Sequence, residues 1–257
     1  MRLFFRKSGS GRPLIILHGL FGLGDNWATL SKKWSEFFTV YAVDLRNHGQ
    51  SPRSEEWNYS LMAEDVFELI RGEHLEEVSI LGHSMGGKVA MRLALDHPQV
   101  ISKLIVSDIA PREYPIHNLD VIHALEEVDL NMITSRKDAE QILAKKLTDS
   151  STLQFLLKNL YWKEISADEK KLAWRFNLEV ISKKLHEVNA STIPAGVCET
   201  ETLFIRGSKS NYITNDDERE IHARFSNSSI VTIQDAGHWV HADKPEEMFE
   251  EVKKFIS

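Results

Sequence analysis

One cysteine, Cys198, stands alone in the sequence. No internal disulfide can form, and no Cys-rich metal motif exists around it. Long hydrophobic runs are missing too. None approaches the roughly 18 apolar residues that a membrane-spanning helix requires. Met1–Lys7 opens with basic residues in the manner of a secretory leader. The apolar run that follows, Pro13 to Leu17, is too short for a leader core and runs into His18-Gly19. The expected location is the cytoplasm. Positive charge is not in excess: 31 Lys and Arg face 38 Asp and Glu, a net charge of −7. The basic residues interleave with acids, as in Asp168-Glu169-Lys170-Lys171, which reads as a solvated surface. That pattern argues against nucleic acid as a partner, because phosphate binding needs concentrated basic surface.

What is present suits a soluble α/β protein. Hydrophobic residues make up 42% of the chain and charged residues 27%, enough to bury a core without staples. Short β-branched runs alternate with amphipathic segments, the pattern of a mostly parallel sheet flanked by helices. The strand candidates are Leu14–Leu17, Val40–Val43, Val78–Leu81, Leu104–Val106, Leu203–Ile205 and Ile230–Ile233. Helices are expected at Trp27–Phe37, Leu61–Arg71, Met85–Leu95, Asp216–Phe225 and Pro245–Phe255. In the last, Pro245 suits the first turn, with acids after it and Lys253-Lys254 near the end, as the helix dipole favours.

Between Pro111 and Gly196 the alternation stops. That stretch reads as helices at about Ile116–Val128, Lys137–Leu147, Leu153–Leu157 and Ala167–Leu185, with no strand. The expected organisation is a core of residues 1–111 and 197–257, interrupted by an all-helical cap over 112–196.

The strongest local signal is Gly82-His83-Ser84-Met85-Gly86, a G-x-S-x-G string where a strand ends and a helix begins. A serine presented on so sharp a turn needs small neighbours two residues either side. The following helix start offers unbonded N–H groups, notably that of Met85, to a developing oxyanion. Serine also needs a base. His238 follows the strand Ile230–Ile233 and so lies at the same sheet edge as Ser84; among eleven histidines, Gly237 beside it favours it over His241. His18-Gly19-Leu20-Phe21-Gly22 ends the first strand candidate. There the N–H of Leu20 is the expected second oxyanion donor, Phe21 the alternative one residue on, and His18 a brace for the loop.

The acid that orients the base is less direct. In most enzymes with such a serine turn an Asp lies about three residues beyond the Gly that ends the strand before the last one; here that loop reads Gly207-Ser208-Lys209-Ser210, and the expected position holds Ser210. Asp108, at the end of Leu104–Val106, is the favoured acid, with Asp216 and Asp217 as alternatives. Ser210 is an auxiliary candidate. His83 and Trp239, neighbours of the nucleophile and the base, are further candidates beside the substrate. Phe155, Leu156, Trp162, Trp174 and Phe176 are candidate apolar walls from the cap, or simply its core.

Together these segments resemble the α/β-hydrolase superfamily along essentially the whole chain, and within it the YbfF-type bacterial esterases and their mitochondrial relatives. The resemblance also rests on Asp44-Leu45-Arg46-Asn47-His48-Gly49-Gln50-Ser51-Pro52, Asp108-Ile109-Ala110-Pro111, Trp174-Arg175-Phe176-Asn177 and Ala236-Gly237-His238-Trp239-Val240-His241-Ala242. It implies hydrolysis of small-molecule acyl esters of short to medium chain, or of acyl thioesters such as acyl-CoA. It also implies an acid at Asp108 with a serine at Ser210. Acyl transfer through Ser84 calls for no metal and no organic cofactor. A carbon–carbon bond hydrolase or lyase on the same residues is the rival within the fold, and a non-catalytic ligand-binding homologue the rival outside catalysis. A haloalkane dehalogenase needs a carboxylate where Ser84 stands.

Overall fold

The computed structural model describes residues 1–115, 118–166, 168–189 and 195–257. Its centre is a sheet of seven strands: β1 (Phe4–Ser8), β2 (Pro13–Leu17), β3 (Thr39–Asp44), β4 (Val78–His83), β5 (Ile101–Ser107), β8 (Glu201–Gly207) and β9 (Ser228–Ile233). Their spatial order is β1-β3-β2-β4-β5-β8-β9, with β1 antiparallel to β3 and every other pairing parallel. All six expected strands are present.

Alternate side chains serve opposite layers, which explains why these strands read as continuous apolar runs. Ile15, Leu17, Ile80, Leu104 and Val106 join one core with α2 (Tyr59–Gly72) and α3 (Met85–Asp96). Leu14, Ile16, Leu81, Ile105 and Leu203 join the other, against α1 (Ala28–Trp34) and α10 (Pro245–Ile256). The expected helix at Asp216–Phe225 begins as a short 3-10 turn and continues as α8 (Glu218–Arg224). A four-residue helix, α9 (Val240–Asp243), precedes α10.

Two expectations need correction. The N-terminal Phe4–Ser8 is an edge strand, overlooked because it pairs antiparallel and stays half exposed, carrying Arg6 and Lys7. The segment 112–196 is not all-helical. It holds α4 (Leu119–Glu126), α5 (Arg136–Leu143), α6 (Ser150–Leu157) and α7 (Leu178–Asn189), but also a hairpin of β6 (Leu160–Glu164) and β7 (Lys170–Trp174). The hairpin and α7 occupy the described part of the helix expected at Ala167–Leu185; Ala167 itself, like Ile116 and His117 at the start of another expected helix, lies outside the described residues. Asp168 to Ala173 is rich in helix formers, yet Leu160, Trp162, Leu172 and Trp174 alternate and pair across the hairpin, Leu160 with Trp174 and Trp162 with Leu172. Cross-strand packing overrides intrinsic propensity there.

This segment is tied to the sheet's loops by specific bonds. Asn159 Nδ2 donates to the Phe21 carbonyl at 2.8 Å, Asn177 N–H to the Asn47 carbonyl at 2.8 Å, and Arg53 to the Trp174 carbonyl at 2.9 Å. Its apolar interior is continuous with the core on the α2 and α3 side of the sheet.

Candidate active site

Parallel strands in register deliver their C-terminal ends to one edge. Leu17 pairs with Gly82, His83 with Ser107, Ser107 with Ile205 and Gly207 with Ile233. The loops carrying Leu20, Ser84, Asp108, Ser210 and His238 therefore leave the sheet side by side.

Ser84 sits between β4 and α3 with φ 52° and ψ −118°, a conformation costly for a residue with a side chain. Two glycines make the turn possible. A Cβ on Gly82 would lie 2.2 Å from the Gly86 carbonyl oxygen, and one on Gly86 would lie 2.4 Å from that of Leu17. The Ser84 N–H is tied to the Ser107 carbonyl at 3.0 Å, which anchors the strained residue to β5.

His238 reaches back from the loop after β9. Its Nδ1 lies 2.8 Å from Asp108 Oδ2 and its Nε2 lies 3.0 Å from Ser84 Oγ. A carboxylate can only accept, so Nδ1 carries the proton and Nε2 is left to accept from the serine hydroxyl. The structure thus brings together the three residues expected to act as nucleophile, base and acid. Asp108 is fully buried, and its charge is met from two further directions. Gly207 N–H donates to Oδ1 at 3.1 Å, and Ser210 Oγ donates to Oδ2. The alternative acids are elsewhere: Asp217 pairs with Arg112 at 2.6 Å and caps its own turn through Thr214, while Asp216 is exposed.

The histidines around the site are structural in their bonding. His18 Nδ1 donates to the Gly19 carbonyl at 2.8 Å and its Nε2 accepts from Leu45 N–H at 3.0 Å, bracing the loop after β2. Burial pushes its pKa down to about 4. His83 Nε2 donates to the His238 backbone carbonyl at 2.8 Å, so the residue before the nucleophile holds the loop of the base. Burial, with the nearby His238 and His241, holds His83 well below the usual imidazole range. His241 stacks on Trp27 with ring centroids 4.2 Å apart and makes no bond to Ser84.

The two candidate N–H groups for an oxyanion, on Leu20 and Met85, donate to no partner among the described residues. The Phe21 N–H, by contrast, is directed at His48 Nε2 at 3.3 Å, which leaves Leu20 as the available donor on that loop.

A cavity of about 440 Å³ opens over Ser84. Leu20, Phe21, Phe155, Leu156, Trp239 and His83 border it, with Val121 and Asn118 from α4 and its approach. Phe155 and Trp239 meet across it, ring centroids 5.4 Å apart. Other proposed wall residues do not border it. Trp174 stacks on Phe176, which packs on Phe21 behind the loop, and Trp162 is 53% exposed on the hairpin. One neighbour of the base went unrecognised in the sequence: Tyr212 stacks face to face on the His238 imidazole, centroids 3.8 Å apart at 17°. Its N–H donates to Ser210 Oγ at 3.2 Å, and its carbonyl accepts from Tyr114 OH at 2.5 Å. No local motif flags an aromatic five residues into a polar loop. No group of three or more His, Cys, Asp or Glu arranged to hold a metal occurs among the described residues.

A sequence profile described as the alpha/beta hydrolase fold matches residues 12–245. The chain belongs to the α/β-hydrolase family. Among its relatives in that family is the esterase YbfF of Escherichia coli, 33% identical over 247 residues that cover 95% of this chain and 93% of that one. The sn-1-specific diacylglycerol lipase ABHD11 of Danio rerio is 38% identical, covering 98% of this chain and 80% of its own. A solved structure described as a marine microorganism esterase superposes with a TM-score of 0.95 at 38% identity, over 99% of both chains.

Proposed function

We propose that this α/β-hydrolase is a serine carboxylesterase acting on acyl esters of short to medium chain. The observation that carries this reading is the unbroken line Asp108 Oδ2–His238 Nδ1 at 2.8 Å and His238 Nε2–Ser84 Oγ at 3.0 Å, at the floor of a cavity with apolar walls. The similarity to proteins named esterases and lipases supports it.

In this mechanism His238 takes the Ser84 proton as Oγ attacks the ester carbonyl carbon. The N–H groups of Leu20 and Met85 donate to the oxyanion, where each such donor contributes two to three orders of magnitude in rate by analogy with other hydrolases. His238 then gives its proton to the leaving alkoxide, releasing alcohol and leaving an acyl-serine. Water, deprotonated by His238, attacks the same carbonyl; the acid departs and Ser84 recovers its proton. Asp108 fixes the imidazole tautomer and faces the imidazolium throughout. Segment 112–196 serves as the lid, with Phe155 and Leu156 from α6 forming its acyl-facing wall.

Turnover of p-nitrophenyl butyrate tests the reading. The wild-type chain is expected to release p-nitrophenol with saturation, and folded Ser84→Ala to lose at least a thousandfold in kcat. Equal rates for the two proteins contradict it.

A further inference from the structure

The cavity's charge is lopsided. Of the residues that border it, Asp149 and Asp243 are carboxylates, and no Lys or Arg is among them. The residues outside the described set contain no Lys or Arg either, so the sequence leaves them no such cation to contribute. Asp149 is held as an anion by the Thr152 N–H at 2.7 Å and hydroxyl at 2.6 Å, which lower its pKa. Asp243 accepts from the Gly237 N–H at 2.7 Å, next to the base. Neither carboxylate is in an ion pair with a described residue. A third anion, Asp108, lies directly behind His238. Of the four bordering histidines, His18, His83 and His241 are kept neutral by burial, and His238 is the base that faces Asp108. The remaining borders are aromatic or aliphatic (Phe155, Leu156, Tyr212, Trp239) or neutral polar (Asn118, Thr152).

We infer that the site selects uncharged esters and rejects those whose acyl or alcohol part carries a carboxylate or phosphate into the cavity. The inference rests on the ester-hydrolase reading and narrows its substrate class. An anionic group entering this space gives up hydration and meets no cation in return, and burying an unpaired charge is among the costliest steps in binding. Asp149 and Asp243, both exposed to solvent, add a screened repulsion, and the oxyanion of the transition state would stand as a further negative charge nearby. Neutral polar groups on a substrate still find partners in Asn118 and Thr152.

Diethyl succinate and monoethyl succinate separate charge from shape, since they share the acyl chain and the scissile ethyl ester. At pH 7.5 the diester is expected to exceed the monoester by about 100-fold in kcat/KM; a ratio under tenfold overturns the inference. Asn118→Arg, which adds a cation at the cavity border, is expected to narrow the ratio by at least tenfold. Val121→Arg supplies the cation from the next turn should the first variant fold poorly. A ratio that moves with neither folded variant also overturns it. Failure of the wild-type protein to hydrolyse even the diester strikes the ester-hydrolase reading itself, whereas equal turnover of both esters strikes only the charge selection.

Discussion

In the proposed mechanism Tyr212 and Ser210 would position the base and its acid without touching the scissile bond. Ser210 donates to the same Asp108 oxygen that faces His238, and Tyr212 covers one face of the imidazole. The ring limits rotation of the base and offers its π face to the imidazolium, a contact worth about 1 kcal/mol. Tyr212→Leu is therefore expected to lower kcat about fivefold, whereas Tyr212→Phe, which keeps the ring, stays within about twofold; equal kcat for all three proteins would remove Tyr212 from the positioning role. At this scale the sequence spoke clearly where a local rule exists. The place of Ser84 was legible because its turn demands Gly82 and Gly86, and that of His238 because it lies, beside Gly237, on the loop that follows a strand at the same edge. Asp108 followed from Ser210 standing where an acid is usual, and from the sheet edge it shares with Ser84. Tyr212 obeys no local rule, since its contact with the base depends on how two separate loops fold together.

At the scale of elements, the elbow depends on α3 approaching β2 closely enough that no side chain fits between them. A Cβ at position 86 would lie 2.4 Å from the Leu17 carbonyl and 2.6 Å from that of His18. Gly86→Ala is expected to cost roughly 3 kcal/mol or more in stability, or to shift α3 and lose activity. Thermal denaturation with an activity assay checks this, and a variant equal to wild type in both contradicts it. The six parallel strands were legible because burial on both faces gives unbroken apolar runs. The β6–β7 hairpin was not, because Asp168-Glu169-Lys170-Lys171 favours helix locally and only pairing with Leu160–Glu164 makes Lys170–Trp174 a strand. β1 was hidden by the half-exposed character of an edge strand.

For the whole molecule, four buried imidazoles carry a pH dependence. Burial lowers the pKa of His18 to about 4 and of His48 and His241 to about 3, with His83 also well below its ordinary value of 6.5. Between pH 6.5 and those values the unfolded chain binds protons that the folded chain refuses. Stability is therefore fully present above pH 6.5 and declines as pH falls, by up to about 1.4 kcal/mol per pH unit for each histidine. Urea midpoints are expected to be nearly level from pH 8 to 7 and to drop steeply from pH 6.5 to 5. A level profile down to pH 5 contradicts the buried neutral state of these rings.

In the proposed mechanism the Ser84 hydroxyl is a nucleophile made reactive by His238. Treating the folded protein with an organophosphonate ester and mapping the adduct by peptide mass spectrometry tests this. Covalent phosphonate is expected on Ser84, absent in Ser84→Ala and formed far more slowly in His238→Ala. Folded wild-type protein that stays unlabelled, or that carries the label on another residue, would contradict it.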